Sequence, residues 1–247
     1  MPTQGVTQEK AQEILGKDFS TIEDALRLFP ALNYPKKYRA NMATVPFSTD
    51  FLRSRKGSLV VCPGFNRLGN DILSLRTLDG MFFDRSMPRI SHHNKHIPHI
   101  SHDNTNRLKT TENCPERSLW FWSGSEDFFS GTAELRWYAI SKVSKNPHKH
   151  ISIFEQNDIM EREGGRKREN AFVYTWAAWL HFLRTGELLW PGISIWTSDV
   201  LPDRRRVAVG GWEDPTKPIW VLELSDPNMN RFPKTVPSYE PNFHQAD

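Results

Sequence analysis

Five histidines crowd one short stretch, His92-His93-Asn94-Lys95-His96-Ile97-Pro98-His99-Ile100-Ser101-His102. Neutral imidazole is a good ligand for zinc, nickel or copper, so the first chemistry to weigh is metal binding. Pro98 and the polar surroundings oppose a helix, which would pair His92 with His96. An extended chain instead lines up His93, His96, His99 and His102 along one edge, about 9 Å apart per step. Ligands must approach one zinc to about 2.0–2.1 Å, so the segment would have to fold back, recruiting Cys114 or Asp103. A solvated, weakly basic loop is the simpler reading. A transition metal on His93, His96, His99 and His102 is the alternative, and no other cofactor is expected.

The remaining chemistry-bearing groups are less specific. Gly64-Phe65-Asn66-Arg67-Leu68-Gly69-Asn70-Asp71 follows an apolar run as a phosphate-binding loop would. Asn70 stands where the phosphate-contacting Lys belongs, however, and Asp71 replaces the magnesium-binding Ser or Thr. Ser123, Ser125, Glu126 and Asp127 lie together without the glycine pair of a nucleophile elbow. His181 sits among Trp179, Leu180 and Phe182, where a hydrogen-bonded structural role is expected. Cys62 and Cys114 are too few for a disulfide framework and are expected as free thiols. No reaction class is favoured, so the chain reads as a binding protein more than an enzyme.

Basic residues cluster at Lys36-Lys37-Arg39, Arg53-Arg55-Lys56, Arg166-Lys167-Arg168 and Arg204-Arg205-Arg206. Interleaved aromatic rings would let such groups follow a phosphate backbone and stack bases. Glu161, Glu163 and Glu169 cancel much of the third cluster. The candidate nucleic-acid contacts are therefore Arg53, Arg55, Lys56, Arg204, Arg205 and Arg206. A net charge of +3 permits such a partner without demanding it.

These groups need elements to hold them. Ser20-Thr21-Ile22-Glu23 predicts a capping box opening a short helix that Pro30 ends, and an earlier helix ends at Gly16. Lys36–Lys56 reads as a basic connector. A buried strand is expected at Ser58–Cys62, and another at Leu135–Val143 with Leu135, Trp137, Ala139 and Ser141 on one side. Ile151 and Ile153 suggest a further strand. Residues 86–115 lack any period and are expected as a long loop. Ala171–Thr185 is the clearest helix: Phe172, Val173, Trp176, Trp179, Leu180 and Leu183 fall at helical spacing before Gly186. Strands follow at Ile193–Thr197, Arg206–Gly210 and Ile219–Leu224.

Helices at the front, one long helix and neighbouring strands, without βαβ alternation, predict an α+β fold with a mostly antiparallel sheet. The expected organisation is one domain over residues 1–225 and an extended proline-rich tail over 226–247. Nine Trp and fifteen Phe supply much of the core. Met1–Leu15 is polar, and no apolar run is long enough to span a bilayer, so a cytoplasmic protein without membrane contact is expected.

Leu15-Gly16-Lys17-Asp18-Phe19, Val45-Pro46-Phe47-Ser48 leading into Leu59-Val60-Val61, Leu135–Ile140 and Leu180–Glu187 resemble, in that order, a group of bacterial proteins of unknown function. The resemblance extends to about Gly211. It implies a bacterial or mobile-element-borne stand-alone protein and carries over no activity. The functional expectation is a binding or assembly protein, such as a subunit of a nucleoprotein or defence complex, with a protein or nucleic-acid partner. The alternative is a metal-dependent hydrolase or metal-binding protein using the His92–His102 loop.

Overall fold

A computed structural model describes residues 5–75, 77–78, 130–143, 156, 158, 160, 166–200, 206–210, 220–224 and 238–239. The chain opens with β1 (Val6–Thr7), α1 (Gln8–Leu15), a 3-10 turn (Gly16–Asp18) and α2 (Ile22–Leu28). Next come α3 (Lys36–Ala43), β2 (Thr44–Val45), α4 (Thr49–Ser54), β3 (Leu59–Pro63), β4 (Arg67–Leu68) and β5 (Asp71–Ile72). The remaining elements are β6 (Trp137–Ser141), β7 (Arg166–Lys167), α5 (Ala171–Thr185), β8 (Ile195–Val200), β9 (Arg206–Gly210), β10 (Trp220–Leu224) and β11 (Ser238–Tyr239). The fold is α+β, and every strand pair among the described residues is antiparallel.

The strands divide between a four-stranded sheet in the order β3-β6-β11-β7 and a three-stranded meander β10-β9-β8. Two short ribbons, β1-β2 and β4-β5, complete the pairing. Helix α5 packs on β3 of the first sheet and on β8 and β9 of the second. Contact on both sides explains why every residue from Ala171 to Phe182 is buried, where a surface helix would keep a wet face. Both faces of β6 are buried as well, so its alternation does not separate a dry side from a wet one.

The ends of α5 follow the sequence closely. Asn170 Oδ1 accepts the Val173 N–H at 2.9 Å, and Asp199 Oδ2 accepts the Ala171 N–H at 2.6 Å. Gly186 closes the helix at φ 75, a left-handed conformation that costs glycine little. At its centre Trp176 donates Nε1–H to the Pro63 carbonyl at 2.8 Å and packs against Phe29 and Phe65, with centroids 5.0 and 6.1 Å away. One side chain thereby ties α5 to the ends of α2 and β3.

Three local expectations change. The capping box of α2 uses Thr21 and Asp24, one residue later than Ser20 and Glu23. The Ser20 N–H is already committed to the Val61 carbonyl at 2.9 Å, which draws Ser20 to the edge of β3. The basic connector folds into α3, β2 and α4. Only Met42 of α3 and Leu52 of α4 are buried, so neither helix shows an apolar period in the sequence. Within the proline-rich stretch, Ser238–Tyr239 form a buried strand inside the first sheet.

Candidate functional site

Segment 35–56 carries Lys36, Lys37, Arg39, Arg53, Arg55 and Lys56 against the single acid Asp50. Its net charge of +5 exceeds the +3 of the whole chain, so the rest of the molecule is net negative by 2. Helix α3 holds the first three cations in the open: Lys36, Lys37 and Arg39 are exposed. The helix has no acid in its first turn and no capping side chain at Pro35. Two lysines at the positive end of a helix dipole oppose folding, and a local rule broken this way is expected where function needs the charge.

What fixes α3 is its last turn. Met42 is buried, and its carbonyl accepts the Trp137 Nε1–H at 3.1 Å, joining the helix to β6. Lys37 Nζ lies 4.9 Å from the Tyr38 ring centroid, and Arg39 Cζ lies 5.9 Å from that of Tyr34. Tyr34 in turn meets Phe65 edge-on at 6.1 Å. The cationic ends of Lys37 and Arg39 therefore lie over rings while both residues stay exposed to solvent. Among the described residues no carboxylate pairs with Lys36, Lys37, Arg39, Arg53 or Lys56.

Helix α4 begins at Ser48, whose hydroxyl accepts the Phe51 N–H at 3.1 Å. It ends in the second cluster. Arg53 and Lys56 are exposed, whereas Arg55 turns inward. Its guanidinium carbon lies 4.4 Å from the Tyr239 ring centroid and 5.1 Å from that of Phe51. Arg55 Nη1 donates to the Tyr239 hydroxyl at 3.1 Å. The Arg55 carbonyl accepts from both the N–H and the hydroxyl of Ser58, each at 3.0 Å. Arg55 is thus an internal clamp on β11, a role that composition alone could not separate from those of Arg53 and Lys56.

The third group of expected contacts is split. Arg206 begins β9 opposite Leu224, and its charge helps burial lower the pKa of Arg168 to about 10. Arg204 and Arg205 lie outside the described residues, as do His93, His96, His99, His102, Cys114, Trp120, Trp122 and Ser123–Asp127. Among the described residues no three His, Cys, Asp or Glu side chains gather closely enough to hold a metal ion. Cys62 is buried in β3, and burial, aided by Glu169, pushes its thiol up to about 12. It is an inert thiol at neutral pH. The loop-like segment Gly64–Asp71 is a hairpin in which β4 and β5 turn through Gly69 at φ 60 and Asn70.

No protein-family model, curated protein or solved structure matches this chain.

A second polar cluster lies around His181. The residue is 1% exposed, and among the described residues neither ring nitrogen has a hydrogen-bond partner, which corrects the expectation of a hydrogen-bonded histidine. Burial, then the nearby Lys142 ammonium, lower its pKa to about 4, with Asp18 opposing them and Arg184 adding to them. Lys142 Nζ pairs with the buried Asp18 at 2.7 Å, Lys17 pairs with Glu187 at 2.5 Å, and Arg184 Nη2 donates to the Lys17 carbonyl. Two ion pairs and Arg184 thus surround a neutral imidazole. This arrangement pins the 3-10 turn to the last turn of α5.

Among the described residues no helix is long and apolar enough to cross a membrane.

Proposed function

We propose that the protein is a binding or assembly protein of the bacterial cytoplasm that docks a nucleic-acid backbone through segment 35–56, as a subunit of a nucleoprotein or defence complex. The observation that carries this reading is the set of exposed cations Lys36, Lys37, Arg39, Arg53 and Lys56, none of which lies within ion-pair distance of a described carboxylate. A phosphate chain meeting four or five of them would release its condensed counterions, and that release supplies sequence-independent affinity. Tyr34 and Tyr38 keep two of the cations pre-positioned against rings, which reduces the side-chain freedom lost on docking.

The test is fluorescence anisotropy of labelled DNA and RNA oligonucleotides titrated with the protein at several salt concentrations. For four contacts, raising salt from about 50 to about 200 mM is expected to weaken binding to duplex DNA roughly a hundredfold. Reversing Lys36, Lys37 and Arg39 to Glu is expected to remove most of the affinity and flatten the salt slope by about three contacts. Because α3 is held by Met42 and Trp137, and acids suit the N-terminus of a helix, these surface changes are expected to leave the thermal melt unaltered or slightly raised. Binding that ignores the three reversals would refute the assignment of this surface.

A further inference from the structure

The four-stranded sheet contains an unusual member. Strand β11 has two residues, yet it sits between β6 and β7, with Ser238 opposite Ile140 and Lys167 and Tyr239 opposite Ala139 and Arg166. Among the described residues β7 joins the sheet only through β11. Without Ser238–Tyr239 the sheet would present two bare strand edges roughly 10 Å apart, the width that one extended chain fills. Ser238 is fully buried and Tyr239 is 6% exposed, so the insert is internal.

The sequence limits how firmly this insert can be held. Proline stands on both sides, at Pro237 and Pro241, and has no N–H to extend either ladder. Side-chain recognition therefore carries much of the attachment, and it falls on Tyr239. Its ring takes the Arg55 guanidinium on its face and Phe51 at its edge, with ring centroids 5.4 Å apart at 71°. Its hydroxyl accepts from Arg55. Phe51 is stacked in turn on Phe47 at 5.4 Å, which fixes one wall of the pocket. A slot with two bare edges and one aromatic–cation pocket is the anatomy of a strand-addition peptide site.

We infer that the β6–β7 slot and the Phe51–Arg55 pocket form a peptide-binding site for the Pro-Ser-Tyr-Glu-Pro segment, Pro237–Pro241, of a second copy of this chain. In a single chain its own Ser238–Tyr239 occupy the site in cis. The connection from Leu224 to Ser238 is thirteen residues with three prolines, and an extended chain of that length reaches roughly 40 Å, enough to cross to a neighbour. Exchange of an identical element adds no new interface chemistry, so the trans form differs from the cis form mainly by effective concentration. The inference does not depend on the anion-binding reading, because it uses the inward-turned Arg55 and none of the exposed cations.

Complementation tests it. The Tyr239→Ala chain keeps the slot and loses the anchor, and the Arg55→Ala chain keeps the anchor and loses the clamp. Each alone is expected to remain monomeric by light scattering at tens of micromolar. An equimolar mixture is expected to form a one-to-one dimer, because only there do an intact slot and an intact anchor meet without competition in cis. Monomers in the mixture, from variants that still melt cooperatively, overturn the inference. Should either variant fail to fold, the wild-type chain is titrated with a fluorescent peptide of residues 234–243. Binding about tenfold tighter than that of its Tyr239→Ala counterpart supports the site, and equal titrations overturn it.

Discussion

Acidification from neutral pH to pH 4 is expected to cost the fold about 3 kcal/mol through His181 alone. Folded, His181 has its pKa lowered to about 4 by burial and by Lys142, against an ordinary value of 6.5. The unfolded chain therefore takes up the proton first as pH falls. Above pH 6.5 both states are neutral at this residue and stability is unaffected. Between 6.5 and about 4 each pH unit removes about 1.4 kcal/mol, and below 4 the loss is complete. The charged groups acting on the ring are Lys142, Asp18, Arg184 and Glu187, and the two cations among them oppose its protonation. Urea unfolding of the wild type and of His181→Leu across this window isolates the effect, because all other titrations are common to both. The variant is expected to lie within about 1.5 kcal/mol of wild type at neutral pH, since it removes two buried nitrogens that have no partner among the described residues. It should then lose less stability on acidification. Parallel curves for the two proteins would show that His181 is not the group being charged.

Trp176→Ala is expected to cost about 4 kcal/mol or more, the largest loss for a single substitution considered for this molecule. The indole is fully buried and touches Phe29, Phe65 and Phe172. Its removal leaves a cavity where α2, β3 and α5 meet and orphans the Pro63 carbonyl. In a chain of this size the midpoint of thermal unfolding should fall by about 8–16 °C. Trp176→Phe keeps most of the ring and loses the hydrogen bond, so it should cost less. Arg53→Ala, on the exposed end of α4, should change the midpoint by no more than a degree or two. A small shift for Trp176→Ala would mean that the three elements do not converge on this residue.

The parts of this fold that were legible in the sequence are those with a dense local signal. Helix α5 begins after Asn170 and stops at Gly186, where its residue types require. Strand β9 spans Arg206–Gly210 as its apolar run predicts, and α1 ends at Gly16. Helices α3 and α4 were hidden because each buries one side chain, too few to set a period. Strand β11 was hidden because two residues between prolines carry no pattern, and its burial comes from partners more than sixty residues away in the chain. The same limit governs the site. Basic clusters are visible as composition, but Arg55 parts from Arg53 and Lys56 only because Tyr239 approaches from 184 residues away. His181 was expected to find a hydrogen-bond partner because buried polar groups usually do. The surrounding pairs are instead satisfied among themselves, Lys142 with Asp18 and Lys17 with Glu187.

Helix α5 has no wet side from Ala171 to Phe182, and it touches both larger sheets. Its amides therefore cannot reach solvent by fraying or by a local hinge, because opening the helix means parting one layer from the other. Hydrogen exchange along Trp176–Phe182 is then governed by the same free energy that opens the whole molecule. The segment is a gauge of global stability, readable one amide at a time.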